Sequence, residues 1–329
     1  MKTTWIHLLS CSLLFVFVVI MSLACGDGQP TTTTLDGDRD TESQDADTAD
    51  IADTVDMADT ETNDVTDSEG ASSDAFLATE LLTRPSANSV TVSLVPKKAL
   101  NVYIEYGEAS GNYSKQTPPV NVQANEAFAI TLDGLSANQR HVYRVRWRLA
   151  GETPYAAGLE RSFHTARPQG QAFVFTIQAD PHLDDRSNLE LYRQTLANEL
   201  ADGPDFMLDL GDTFMCEKHS APFTATLQEA QDDPTVVSRY LYERGNFGLA
   251  AHSVPLFLVN GNHEGEGGWF LDETDRNLAI WTTLARKAYY PPPLPDGFYS
   301  GDATDEPFVG KRGSWYAWEW GDALFIVLD

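Results

Sequence analysis

Cysteine is scarce, with only Cys11, Cys25 and Cys216 in 329 residues, and Cys11 lies inside an apolar N-terminal run. A disulfide framework is excluded, so any folded part must hold together by burial. Bases are scarce as well: 22 Lys and Arg stand against 49 Asp and Glu, a formal net charge of −27. So acidic a chain presents no basic surface to nucleic acid, and handling an anionic substrate would require bound cations. From 26 to 75 there is no aromatic residue, and no histidine follows His263. The first gap excludes a packed core in that stretch; the second limits where imidazole ligands can come from.

What is present begins with a charged start at Lys2, an apolar stretch from Leu8 to Met21 and then Ser22-Leu23-Ala24-Cys25. This is the plan of an export signal over 1–25, with an apolar stretch slightly short for a spanning helix. It resembles a bacterial lipoprotein signal, which implies lipidation of Cys25, although Ser22 stands where the lipobox has Leu. Plain secretion with Cys25 as the first mature residue, and retention as an anchor, both remain open. The expected location is outside the cytoplasm, anchored to a membrane by lipid or secreted. Residues 26–75 hold 16 acids and one base, Arg39, with Ala-Asp-Thr recurring at 46, 52 and 58. Such composition cannot offset the entropy of ordering, so a disordered acidic tether is expected, spanning on the order of 40 Å.

From 77 to 167 the apolar residues recur at every second position: Val90, Val92, Leu94; Val102, Ile104, Tyr106; Phe128, Ile130, Leu132; Tyr143, Val145, Trp147, Leu149. Arg144, Arg146 and Arg148 take the opposite face of the last run. Half-buried antiparallel strands are implied, packed as an all-β sandwich of the Ig type. The segment resembles the fibronectin type III-like module that precedes the catalytic domain in purple acid phosphatases, ending in Ser162-Phe163-His164-Thr165. His141 stands where that module often has a tyrosine, and His141 and His164 read as structural.

Beyond a joint at 166–170, compact apolar runs at 173–178, 206–210 and 255–259 alternate with helical patterns, implying a mostly parallel sheet covered on both faces over 171–329. Ser187-x-x-Glu190 predicts a capping box and a helix over 188–201. Further helices are expected over 235–244 and 274–287. Trp315, Trp318 and Trp320 are expected in the core, and the run from Ala323 to Leu328 as a further central strand.

Each of the three runs ends in metal-ligating residue types: Asp180-Pro181-His182, then Asp209-Leu210-Gly211-Asp212, then Asn260-Gly261-Asn262-His263-Glu264. Carboxyl ends of parallel strands are where ligands bind, because loops converge there. Carboxylate, imidazole and carboxamide oxygen together suit Mn, Fe or Zn. Asp180 and His182, two apart in extended chain, would face one ion, and the glycines would let the backbone turn beside a crowded site. Gly-Asn-His-Glu is expected by chance on the order of once in a thousand chains of this length. Cys216, four residues past Asp212, reads as a packing residue.

These motifs resemble those of the calcineurin-like metallophosphoesterase superfamily. The resemblance implies an α/β metallophosphoesterase-type sandwich and two divalent or trivalent metal ions. Asp180 and His182 would hold the first ion, Asp212 would bridge both, and Asn262 would hold the second. His263 would stand beside the leaving group with Glu264 orienting it, and the substrate would be a phosphate ester. His182 and Met215 replace the glycine and tyrosine of purple acid phosphatases, so a tyrosinate-bound ferric ion is not expected. The family's later lone His and Gly-His-x-His are missing. The domain is therefore expected to be a truncated first half to two-thirds, inactive or barely active alone; the rival reading is a surface adhesin with a relic metal domain.

Overall fold

The computed structural model describes residues 74–183, 187–214, 216, 233–265 and 271–329. The expected signal segment with Cys25, nearly all of the tether, Met215 and His219 lie outside the described residues. Among the described residues no helix is long and apolar enough to cross a membrane.

The alternating runs of the first part become strands: β1 (Leu81–Thr83), β2 (Val90–Leu94), β3 (Leu100–Gly107), β4 (Lys115–Gln116), β5 (Val120–Val122), β6 (Phe128–Leu132), β7 (Arg140–Leu149), β8 (Ala156–Ala157) and β9 (Arg161–His164). All pairs among them are antiparallel, with β3 and β7 in register from Leu100↔Leu149 to Gly107↔Val142. Val102, Ile104, Tyr143, Val145 and Trp147 point into one core with Val90, Val92 and Leu132. On the opposite face Arg144 and Arg146 both pair with Glu105, the second at 3.2 Å. His141 is buried, bonded to the Ser136 carbonyl and stacked on Phe163, and His164 bonds the Thr165 carbonyl, so both serve packing.

The second part runs β10 (Phe175–Gln178), α1 (Leu189–Ala201), β11 (Phe206–Asp209), α2 (Asp233–Phe247), β12 (Leu256–Leu258), a single-turn α3 (Asn262–Gly265), α4 (Leu278–Tyr289), then β13 (Ser300–Gly301), β14 (Tyr316–Trp320) and β15 (Ala323–Val327). Strands β10, β11 and β12 are parallel, as expected. Their side chains divide between two layers. Met207 and Leu256 face the helices with Leu196, Tyr240 and Phe247. Phe206, Leu208, Phe257 and Val259 face the second sheet and its Tyr316, Trp318, Trp320 and Phe325. Burial on both faces explains why β11 and β12 read as continuous apolar runs, whereas β10, at the sheet edge, leaves Ile177 46% exposed.

Several expectations are corrected. The run at 323–327 is no central parallel strand: it pairs antiparallel with β14 through a two-residue turn at Gly321-Asp322, where Gly321 has φ +58°. Gly at that turn is a hairpin signal. Trp315 is 44% exposed, because Tyr316, Trp318 and Trp320 take the inward parity of β14. Ser187 is not the cap of α1; Asn188 is, accepting from the Leu191 N–H at 3.0 Å. α4 starts at Leu278 because Asp272 and Thr274 are committed to side-chain turns and Asn277 caps the helix by accepting from the Ile280 N–H.

One feature has no local sequence signal. β1 pairs in parallel with β12 at Thr83↔Leu256, joining both parts into one six-stranded sheet in the order β10-β11-β12-β1-β2-β6. Arg244, wholly buried on α2, donates across the same junction to the Ser93 hydroxyl at 3.1 Å and to the Ser93 carbonyl.

Phe206 is the aromatic hub between the sheets, with ring centroids 4.9–5.9 Å from Phe175, Phe257, Trp318, Trp320 and Phe325. Phe206→Ala is expected to destabilise the fold by ~3–5 kcal/mol in urea unfolding; a loss under about 1 kcal/mol would mean that the two sheets do not share this core.

Candidate metal centre

The parallel register sets Gln178 beside Asp209 and Asp209 beside Leu258, so the three strand ends finish together. The turns that follow are tied to each other. The Asp180 N–H donates to the Gly211 carbonyl at 3.0 Å and the His182 N–H to the Asp212 carbonyl at 3.3 Å. From the third turn, the His263 N–H donates to Asp212 Oδ1 at 2.9 Å.

In this setting His182, Asp212 and His263 each offer a ligand atom, all within 4.8 Å of one another. His182 Nε2 lies 3.6 Å from Asp212 Oδ2 and 3.5 Å from Asp180 Oδ1. The two imidazole rings meet edge to face with centroids 5.2 Å apart. Asp180 is the open side of the cluster, its side chain 68% exposed against 13% for Asp212. Asn262 opens α3 and is exposed. Two imidazoles and one carboxylate facing one point, with Asp180 beside them but not among the three, are a donor set that fits Mn, Fe or Zn.

The backbone that presents these side chains is not extended. Asp180, His182 and Asp212 have φ of +55°, +45° and +56°, the left-handed region that side-chain-bearing residues rarely enter. The pair from 180 to 182 therefore shares a site through a coiled turn instead of through strand alternation.

Glu264 holds the turns in place. Its carboxylate accepts N–H bonds from Asp212 (2.7 Å), Thr213 (2.7 Å), Phe214 (3.0 Å) and Gly261 (2.8 Å). Burial raises its pKa, and these four bonds oppose the rise. All these bonds go to backbone, so Glu264 orders the loops that carry Asp212 and His263, a different task from orienting the His263 ring. Asp209, fully buried beneath, accepts from the Gly211 N–H (3.1 Å), the Thr213 hydroxyl (2.8 Å) and the Gln178 amide (2.9 Å). The sequence marks Asp209 and Gln178 only as polar ends of apolar runs, which is the signal for their role. Cys216 packs against the helix-side core, as expected.

A cavity of about 390 Å³ adjoins the cluster, with Asn260 and Glu264 in its wall together with Leu271, Ile280, Phe308 and Arg312. A larger one, about 630 Å³, has none of the motif residues in its wall.

The arrangement of three parallel strand ends, a second sheet behind them and helices in front recurs among solved structures. The purple acid phosphatase PPD1 from yellow lupin (Lupinus luteus) seeds superposes with TM-score 0.52 at 16% identity, covering 75% of this chain and 43% of that one. PhoD superposes with TM-score 0.51 at 17% identity, covering 78% of this chain and 52% of that one. At these identities the likeness is one of fold. The chain spans about half the length of either structure. No family model matches the sequence, and no curated protein matches it.

Two outcomes follow from the packing of these turns. A Cβ on Gly211, at φ +92°, would stand against the Gly261 amide and 2.7 Å from Glu264 Oε2. Gly211→Ala should therefore lower metal affinity at least about tenfold in calorimetric titration with Mn²⁺, whereas unchanged binding would show that the two turns need not touch. The second concerns pH. Burial, partly opposed by its hydrogen bonds, pushes Asp209 up to about 7, with Glu264 and Glu243 nearby and Glu243 itself pushed up to about 8. Both folded values lie above the unfolded carboxylate value of about 4, so the native state holds protons that the unfolded chain releases. The contribution of these two groups to stability is fully present below about pH 4 and is lost as pH rises towards 7 to 8. In the chelated protein, Asp209→Asn should lose less stability than the wild type between pH 5 and 8, because its share of the proton release is gone; parallel urea midpoints would contradict this.

Proposed function

We propose that this chain carries the metal cluster of a metal-dependent phosphoesterase that hydrolyses phosphate esters at the strand ends, with little turnover from the chain alone. The observation that carries the reading is the convergence of His182, Asp212 and His263 ligand atoms within 4.8 Å, in a fold shared with a purple acid phosphatase. Asp180 and His182 would hold one cation, Asp212 would bridge to a second, and Asn262 would reach the second. Bound divalent cations supply an activated water at neutral pH and neutralise the phosphoryl oxygens for in-line attack.

The chain's own groups do the rest. His263 would hold a proton at the leaving-group oxygen and donate it as the ester bond breaks. Glu264 would act as a positioning residue, keeping Asp212 and His263 at fixed spacing through the backbone amides it gathers. The open flank beside Asp180 would admit the phosphoryl group. The neighbouring cavity, lined by Leu271, Phe308 and Arg312 among others, would take the organic part of the ester. The acidic surface would not attract nucleic acid, and only the cations would draw in an anionic substrate. Residues 77–167 would form a fibronectin III-like module ahead of the metal domain at 171–329, on a protein exported through its N-terminal segment and lipid-anchored at Cys25. No purple colour is expected from such a centre.

The test is turnover of p-nitrophenyl phosphate and bis(p-nitrophenyl) phosphate with Mn²⁺, Zn²⁺ or Fe²⁺, alongside metal titration. Asp212→Asn should retain the circular dichroism of the parent yet lose turnover at least about a hundredfold, with weakened metal binding. Full activity in that variant would defeat the two-cation reading. Preference for the monoester or the diester would settle the substrate class.

A further inference from the structure

The loops carrying Asp180, His182 and Asp212 hold three left-handed side-chain-bearing residues. Each such conformation is disfavoured by ~1–3 kcal/mol and persists only where its surroundings over-determine it. Glu264, Asp209 and the two inter-turn bonds fasten the near ends of these loops. Ser187 also contributes, its hydroxyl bonding the Pro181 and His182 carbonyls at 3.1 and 3.0 Å. The far ends, Leu183 and Phe214, are buried; Tyr240 of α2 stacks on the Phe214 ring, and Arg239 of the same helix hydrogen-bonds to both ends.

Arg239 is 3% exposed. Its Nε donates to the Phe214 carbonyl, while both terminal nitrogens lie 3.2 Å from the Leu183 carbonyl. One turn along the helix Glu243, with no exposed surface, sets Oε1 3.2 Å from the same guanidinium. Leu183 follows His182 by one residue, and Phe214 follows Asp212 by two. One planar fork thus spans the ends of both ligand-bearing loops. We propose that Arg239 is a positioning residue for the metal centre, setting the spacing between His182 and Asp212 from beneath by bridging the carbonyls of Leu183 and Phe214.

This rests on the metal-site reading above. The fork is what matters: a lysine keeps the charge but offers a single nitrogen, which cannot hold two carbonyls in the guanidinium's fixed geometry. Charge and geometry are therefore separable. Removing a cation from beneath a cation site would tighten metal binding by electrostatics alone; losing the fork loosens it.

The test is calorimetric titration of Mn²⁺ into the metal-free 329-residue chain as wild type, Arg239→Lys and Val236→Ala. Val236 lies on the same helix, 1% exposed, and its aliphatic side chain gives neither loop a hydrogen bond. Arg239→Lys should weaken binding ~10- to 100-fold, the range for lost supports of metal ligands. Val236→Ala should lower the urea midpoint yet bind within about twofold of wild type, because it is a separate site. The visible absorption of the Co²⁺-loaded chain should change in the lysine variant and not in the alanine one, since that spectrum reads ligand geometry. Wild-type affinity in a folded Arg239→Lys would overturn the role of Arg239 while leaving the metal site intact. Absence of Mn²⁺ binding by the wild type would overturn both. Should Arg239→Lys fail to fold, Glu243→Ala decides, since it removes the acceptor beside the guanidinium: binding weakened at least about threefold supports the bridge, and unchanged binding overturns it.

Discussion

A single carboxylate gathers the amides of two separate turns, and the rest of the site depends on it. Glu264 takes four N–H groups that have no partner in a strand or helix, three from Asp212 to Phe214 and one from Gly261. Buried amides need acceptors, and hydrogen bonds to a charged acceptor are worth more than neutral ones, roughly 1.5–3 kcal/mol each. Burying the carboxylate is unfavourable, as its raised pKa records. The four bonds offset that penalty and, in the same stroke, fix where Asp212 and His263 stand. A glutamate in the fourth place of Gly-Asn-His-Glu has the reach for this, since it must extend from α3 across to the β11 turn.

Close approach of two backbones is the other half of the constraint. Gly211 and Gly261 face each other so tightly that a methyl group on either meets backbone or the Asp212 side chain; for Gly261 the Asp212 Cγ would lie at 2.9 Å. Those glycines are visible in the sequence as turn residues. Left-handed φ at Asp180, His182 and Asp212 is not visible there, because nothing local demands it. It arises from tertiary bonds, and it overturns the simple argument that residues two apart in extended chain share a face.

Legibility in the sequence followed the range of the interaction. Alternation every second residue marked β3, β6 and β7, because each of those strands has one face in the core and one towards water, with Arg144 and Arg146 on the wetter side; β2 alternates as well, but its polar Thr91 and Ser93 are buried. The three strand ends rich in ligand-type residues were legible because each apolar run stops abruptly at polar residues. The layer behind was harder. β14 and β15 are as apolar as a central parallel strand, and only the Gly321-Asp322 turn distinguishes a hairpin from a crossover. Ser187 and Asn188 compete for the same cap, and the winner is decided by carbonyls of Pro181 and His182 that the serine reaches instead.

The junction between the two parts is least legible of all and matters most for how the centre is braced. Thr83 and Leu256 are far apart in sequence, and no pattern in either segment announces that β1 lies beside β12. Yet β12 leads into Gly261 and His263, so the first part flanks the strand that carries the third motif. Arg244, from the helix that also bears Arg239, reaches Ser93 of β2 and the carbonyl of Tyr289 at the end of α4. The Tyr143 hydroxyl adds a bond to the His252 carbonyl just ahead of β12. Bracing of this kind comes through backbone pairing and buried polar contacts, so the β-rich part supports the strand-end cluster while, among the described residues, adding no ligand atom to it.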